Sequence, residues 1–188
     1  MLDKYLIEHC APTLASIKTA NLFGFSTADI KNPDAHLEAW SKSLSSKGIE
    51  IIKLKEENNR ILAYVCRKAK LAEDFAKPGV YEFMQKYGYE SLDVDYAINL
   101  LKKKLSERTE FPHEIGMFLG YPLGDVMGFI ENAGKNSKCV GCWKVYCNEC
   151  QAMKTFALFE KCRNIYRDKW LKGRPINQLT VAALQAAS

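Results

Sequence analysis

Apolar residues recur along this chain with two different periods, and the alternation between them lays out the elements. Around Ile49–Lys55 and Arg60–Arg67, β-branched and aromatic residues crowd together, with the polar run Glu56-Glu57-Asn58-Asn59 between them. That is the pattern of a β-hairpin. Ala20–Phe25 predicts a short third strand and Cys142–Tyr146 a fourth. Elsewhere the spacing is helical. Leu37, Trp40 and Leu44 form a stripe that opens at Asn32-Pro33, a cap followed by a proline at the first helical position, and stops at Gly48. The opening residues Met1–His9 predict a short amphipathic helix that ends near Cys10, because Pro12 follows.

Leu71–Lys77, Gly79–Tyr87, His113–Leu119 and Leu123–Ile130 predict short helices. Leu92–Glu107 predicts a longer one, with Leu92, Tyr96, Leu100 and Leu101 inward. Glu149–Leu171 predicts the longest, with Met153, Phe156, Phe159 and Ile165 among its apolar residues, and the tail from Pro175 another turn. The fold class expected is α+β: a small antiparallel sheet, made of the hairpin 49–67 and short strands near 20–25 and 142–146, wrapped by several helices.

Composition narrows the class without naming a function. The 188 residues are 47% hydrophobic and 26% charged, ordinary for a globular protein, and no repeat or linker divides them, so a single domain over 1–188 is expected. No apolar run approaches the roughly 20 residues of a membrane span, and acids interrupt what would be a signal peptide's apolar region, so a cytoplasmic location is expected. The net charge of +5 is mild. Its densest patch, Lys161, Arg163, Arg167, Lys169, Lys172 and Arg174, reads as the solvated basic end of a helix, so nucleic acid is not the expected partner. No phosphate-binding loop, dinucleotide glycine pattern or serine elbow is present, which points away from nucleotide-driven chemistry.

Cysteine is where specific chemistry enters. Four of the seven cysteines, Cys139, Cys142, Cys147 and Cys150, form a C-x2-C-x4-C-x2-C array. Two such knuckles supply four thiolates, a set suited to zinc or an iron–sulfur cluster. The spacer Trp143–Tyr146 argues against it. If extended, it carries Cys142 and Cys147 roughly 16 Å apart, too far for one ion. A metal site, a thiol redox pair and simple burial of small side chains all remain open.

Three further groups draw notice. His9 and Cys10, followed by Thr13 and Lys18, concentrate reactive side chains near a helix end. There a thiol beside a cation shifts toward thiolate, and Thr13 with Lys18 has the chemistry to hold an anion. His113-Glu114, after Pro112, has the chemistry of a general base and its orienting group. Tyr121, between two helices, and Lys144 with Tyr146, which share one face of the predicted strand, are candidates for ligand contact.

Three stretches, His9–Phe23 (HCAPTLASIKTANLF), Phe111–Pro122 (FPHEIGMFLGYP) and Trp143–Tyr146 (WKVY), together resemble an uncharacterised bacterial family found mainly in anaerobic Firmicutes and defined only as a domain of unknown function. The likeness spans nearly the whole chain. It implies no activity or catalytic residue, but it does imply a link to iron or redox metabolism and a redox partner such as a flavodoxin. In the family's pattern Cys10, Cys139 and Cys162 fit, whereas Cys147 and Cys150 depart from it. That implies a site drawn from distant cysteines.

Three readings follow. One is a ligand- or metal-handling protein that uses cysteines and histidines. Another is a small enzyme whose pocket joins the His9–Lys18 loop to His113-Glu114. The third is an interaction module without site chemistry.

Overall fold

A computed structural model describes residues 3–28, 30–107 and 111–183; Met1 and Leu2, the first two positions of the expected N-terminal helix, lie outside them. The chain divides into two compact units, Met1–Lys70 with Cys162–Ser188, and Leu71–Lys161. The architecture is α+β, with a three-stranded and a two-stranded antiparallel sheet among helices.

In the first unit the hairpin is β2 (Glu50–Glu57) and β3 (Arg60–Cys66). Asn58 and Asn59, both at positive φ, make its turn. The third strand, β1 (Ala20–Ser26), pairs antiparallel with β3, so the order is β1-β3-β2. Ile61, Ala63 and Val65 of β3 are buried with Phe23 and Phe25 of β1 on one face, and Tyr64 and Cys66 are buried on the other, so the central strand is covered on both sides toward its end. Helix α2 (Pro33–Ser45) begins as the sequence predicts: the Asn32 side chain accepts from the Ala35 N–H, and Leu37 and Leu44 face the core.

Helix α1 (Asp3–Leu14) runs past the expected end at Cys10, with Pro12 inside it. Two observations account for this. Leu6, Ile7, Cys10, Ala11 and Leu14 lie on one buried face, so stopping early would expose Leu14. Of the last-turn carbonyls, which have no partner inside a helix, those of Ala11 and Pro12 accept from backbone N–H groups just beyond it, and those of Thr13 and Leu14 accept from Arg67. Its guanidinium, 2% exposed, donates to Thr13 O (2.8 Å), Leu14 O (2.9 Å), Lys47 O (3.0 Å) and Val181 O (2.6 Å). Burial pulls its pKa below the ordinary value, and the negative end of α1 offsets the buried charge. The end of α8 (Glu149–Leu171) and α9 (Ile176–Leu179) complete this core through Cys162, Tyr166, Ile176 and Leu179.

The second unit holds most of α3 (Lys68–Phe75), then α4 (Val80–Gln85), α5 (Val94–Glu107), α6 (Ile115–Phe118), α7 (Leu123–Glu131), the ribbon β4 (Cys139–Val140) with β5 (Lys144–Val145), and the first part of α8. Phe118 lies edge-on to Phe75 at 5.3 Å and near Tyr89 at 5.7 Å. The inward face of α5 differs from expectation. Ala97, Ile98, Leu101, Lys104 and Leu105 are buried, whereas Tyr96 is 40% exposed. Lys104 turns inward because it has an acidic partner: its ammonium meets Glu114 Oε1 at 2.8 Å, bonds Tyr87 O and lies 4.2 Å from the Tyr89 ring centroid. In α8, Ala152 and Phe159 are buried while Met153 and Ile165 face outward.

Candidate functional site

The site grows from the close approach of α7 to the ribbon. Gly124 and Gly128 stand four residues apart, on one face of α7. A Cβ at Gly128 would fall 2.5 Å from Tyr146 Cβ, and one at Gly124 2.3 Å from Cys147 Sγ. At Gly128 a side chain would push Tyr146, and with it the end of β5, away from the helix, whereas at Gly124 it would displace the Cys147 thiol. On the same helix the buried carboxylate of Asp125 organises the strand that approaches. Oδ1 accepts from the Tyr146 and Cys147 backbone N–H groups, each at 2.8 Å, and Oδ2 accepts from Trp143 Nε1 at 2.8 Å. Asp125 is 3% exposed, so its charge is held by donors on the ribbon and not by water.

With Trp143 fixed, a cavity of about 320 Å³ opens beside it, within the size range of small-molecule sites. Its aromatic wall is Phe111, Tyr121, Phe129 and Trp143, with Ile115, Leu119, Val126 and Val140 filling the aliphatic remainder. Tyr121 stacks on Trp143 at 4.9 Å, and Phe156 meets Trp143 edge-on at 4.6 Å. The Tyr121 hydroxyl donates to Cys142 O, and burial pushes its pKa up to about 12, so this phenol stays neutral and structural. Two basic side chains border the cavity, both against Phe129. The exposed His113 ring lies 5.1 Å from it edge-on. Lys144 Nζ lies 5.8 Å from its centroid and donates to Gly134 O at 2.6 Å.

Of the residues singled out from sequence, Tyr121, His113 and Lys144 line this cavity. Tyr146 packs on Gly128 instead and is not part of the lining, because β5 has only two residues and ends before it. Glu114 does not orient His113; it is 2% exposed and turned to Lys104. Phe111, Asp125 and Phe129 were not anticipated. The G-x3-G spacing within α7 was the one sequence signal for a close approach there.

The His9–Lys18 segment belongs to the first unit. His9 is exposed and stacks on Phe23 (5.5 Å, interplanar 10°). Cys10 is fully buried, and that burial drives its thiol pKa far above the ordinary value. Thr13 Oγ1 donates to Asn21 Oδ1 at 2.7 Å, and Lys18, 7% exposed, donates to Ala20 O.

The cysteines are spread through both units. Cys10 and Cys162 share the first unit's core, and burial raises Cys162 to about 11. Cys139 and Cys142 lie in and just after β4, whereas Cys147 and Cys150 are exposed around the start of α8. Burial together with nearby carboxylates, Glu149 and Asp125 for Cys139 and Asp125 for Cys147, pushes both thiols up. That is opposite to the thiolate character that ligation or nucleophilic attack needs. Among the described residues no three His, Cys, Asp or Glu side chains gather as a metal ion requires. No described helix is long and apolar enough to cross a membrane.

No curated protein and no solved structure matches the chain. A family model does match, over residues 6–180, and its description is "Protein of unknown function (DUF3793)". The chain belongs to that family.

Proposed function

We propose that this protein binds a small, flat, largely apolar molecule in the cavity of its second unit. One observation carries the reading: Trp143, fixed by the buried Asp125 carboxylate, forms with Tyr121, Phe129 and Phe111 an aromatic wall around about 320 Å³. Aromatic walls recognise planar groups through stacking and edge contacts. A wall whose key ring is hydrogen-bonded in place loses little freedom on binding, so more of the contact energy appears as affinity. Of the readings open from sequence, this favours ligand handling. The cysteines take no part in it, and nothing at the cavity favours iron or redox chemistry over simple binding.

The test uses 2-naphthol, a neutral probe, followed through the Trp143 indole N–H resonance in ¹⁵N-labelled protein. A saturable shift is expected, with Kd below about 1 mM. Val140→Trp, at a lining position that is 67% exposed, should weaken binding at least about tenfold by filling the mouth. No saturable shift of Trp143, or identical binding in the variant, would reject the reading.

A further inference from the structure

We infer that the molecule bound in this cavity carries a single carboxylate, seated at the cavity edge that Lys144 forms beside the Phe129 ring. The inference rests on the cavity reading above and deepens it by naming the ligand's charge and head group.

The argument is one of charge accounting inside the cavity. Among the described residues Asp125 is the one carboxylate in the lining, and both its oxygens accept hydrogen bonds: Oδ1 from the Tyr146 and Cys147 N–H groups, Oδ2 from the Trp143 indole. A cationic ligand would find there at most the second lone pair of Oδ2, on a carboxylate only 3% exposed. Glu114, next in sequence to His113, is turned away and neutralised by Lys104 at 2.8 Å. On the basic side the accounting is open. Among the described residues Lys144 makes no ion pair, and its ammonium spends one donor on Gly134 O. An ammonium has three donors, so two remain to meet the two oxygens of a carboxylate. His113 also lines the cavity, against the same Phe129 ring, and adds a second nitrogen-bearing side chain to its wall.

The remaining walls are apolar, so a ligand fitting them presents a flat hydrocarbon body to Trp143 and Tyr121 and its charge to this edge. A phosphate monoester fits less well. It carries up to two charges and more acceptor oxygens than one partly used ammonium and one imidazole can satisfy. Phosphate sites are otherwise built from clustered backbone N–H groups or several cations, and among the described lining residues the basic side chains are Lys144 and His113.

The experiment compares four probes that share one ring system: 2-naphthoate, 2-naphthol, 2-naphthylmethylammonium and 2-naphthyl phosphate. Binding is measured calorimetrically to the full chain, to Lys144→Met and to His113→Gln. Both substitutions alter exposed side chains, so the fold is retained. Naphthoate should bind at least about tenfold more tightly than naphthol and than the phosphate, and the ammonium most weakly. Lys144→Met should erase the preference for naphthoate over naphthol, and His113→Gln should reduce it in part. Equal affinity for naphthoate and naphthol overturns the inference and leaves the cavity reading standing. So does a naphthoate preference that survives Lys144→Met. Tighter binding of the phosphate or the ammonium overturns the carboxylate assignment. Failure of all four to bind overturns both.

Discussion

A single buried carboxylate does more for the candidate site than any of the residues that look reactive. Asp125 accepts three hydrogen bonds from residues on either side of β5, 18 to 22 positions further along, and they fix the Trp143 indole and the chain leaving β5 against α7. Asp125→Asn keeps the shape but replaces one acceptor with an amide that points donors at donors. It should cost on the order of 2–3 kcal/mol, because buried N–H groups lose their partner. A urea titration measures this, and a shifted, broadened Trp143 indole resonance should accompany it. The same residue shows where sequence reading stops. An aspartate two positions into a helix reads as ordinary complement to the helix dipole, and nothing local reveals that its partners lie on another element. Histidines and cysteines drew attention by chemical type, yet Cys10 and Glu114 are buried, one in a core and one in an ion pair.

Among elements, α7 has a surface opened by glycine where the chain after β5 approaches. Its two glycines act differently when substituted, and the contrast is testable. At Gly128 an added methyl meets the Cβ and Cγ of Tyr146, atoms anchored next to β5, so Gly128→Ala should destabilise by about 1–3 kcal/mol despite the better helix propensity of alanine. At Gly124 the obstacle is the exposed Cys147 sulfur, which rotates aside, so Gly124→Ala should cost clearly less. Thermal denaturation of the two variants side by side checks the order. Elements with strong local signals were legible in advance: the hairpin through its β-branched runs, α2 through Asn32 and Pro33, α8 through its length. Those decided by distant contacts were not. Helix α1 continues through Pro12 because Arg67, more than fifty residues away, takes its last carbonyls. The inward face of α5 turned because Lys104 found Glu114. A propensity argument sees the proline and the lysine but not the partner.

For the whole molecule, buried thiols and phenols set an alkaline limit. In the first unit's core Cys162 is raised to about 11 and Tyr166 to about 12, both by burial, against ordinary values of 9.0 and 10.0. In the unfolded chain the thiol loses its proton near its ordinary value, whereas the folded thiol keeps it. Above pH 9 the unfolded state therefore binds fewer protons than the native one, and stability falls as pH rises. The contribution is fully present below pH 9 and is lost as pH climbs through 11. The urea midpoint should decline across that window, and less steeply in Cys162→Ala. A midpoint that stays level from pH 9 to 11 would contradict this account of the core.

The second unit is one uninterrupted stretch, 71–161, whereas the first is assembled from residues on both sides of it. This has a consequence for a chain made from one end on a ribosome. By the time α1, the three-stranded sheet and α2 have emerged, their core still lacks Tyr166, Ile176 and Leu179, and the Arg67 guanidinium lacks the Val181 carbonyl. The second unit has all its own residues at hand while the nascent first unit waits, its apolar face uncovered, for the last segment to be synthesised. During that interval the sheet is the part of the protein with its apolar face uncovered, and the cavity beside Trp143 is the part already free to form.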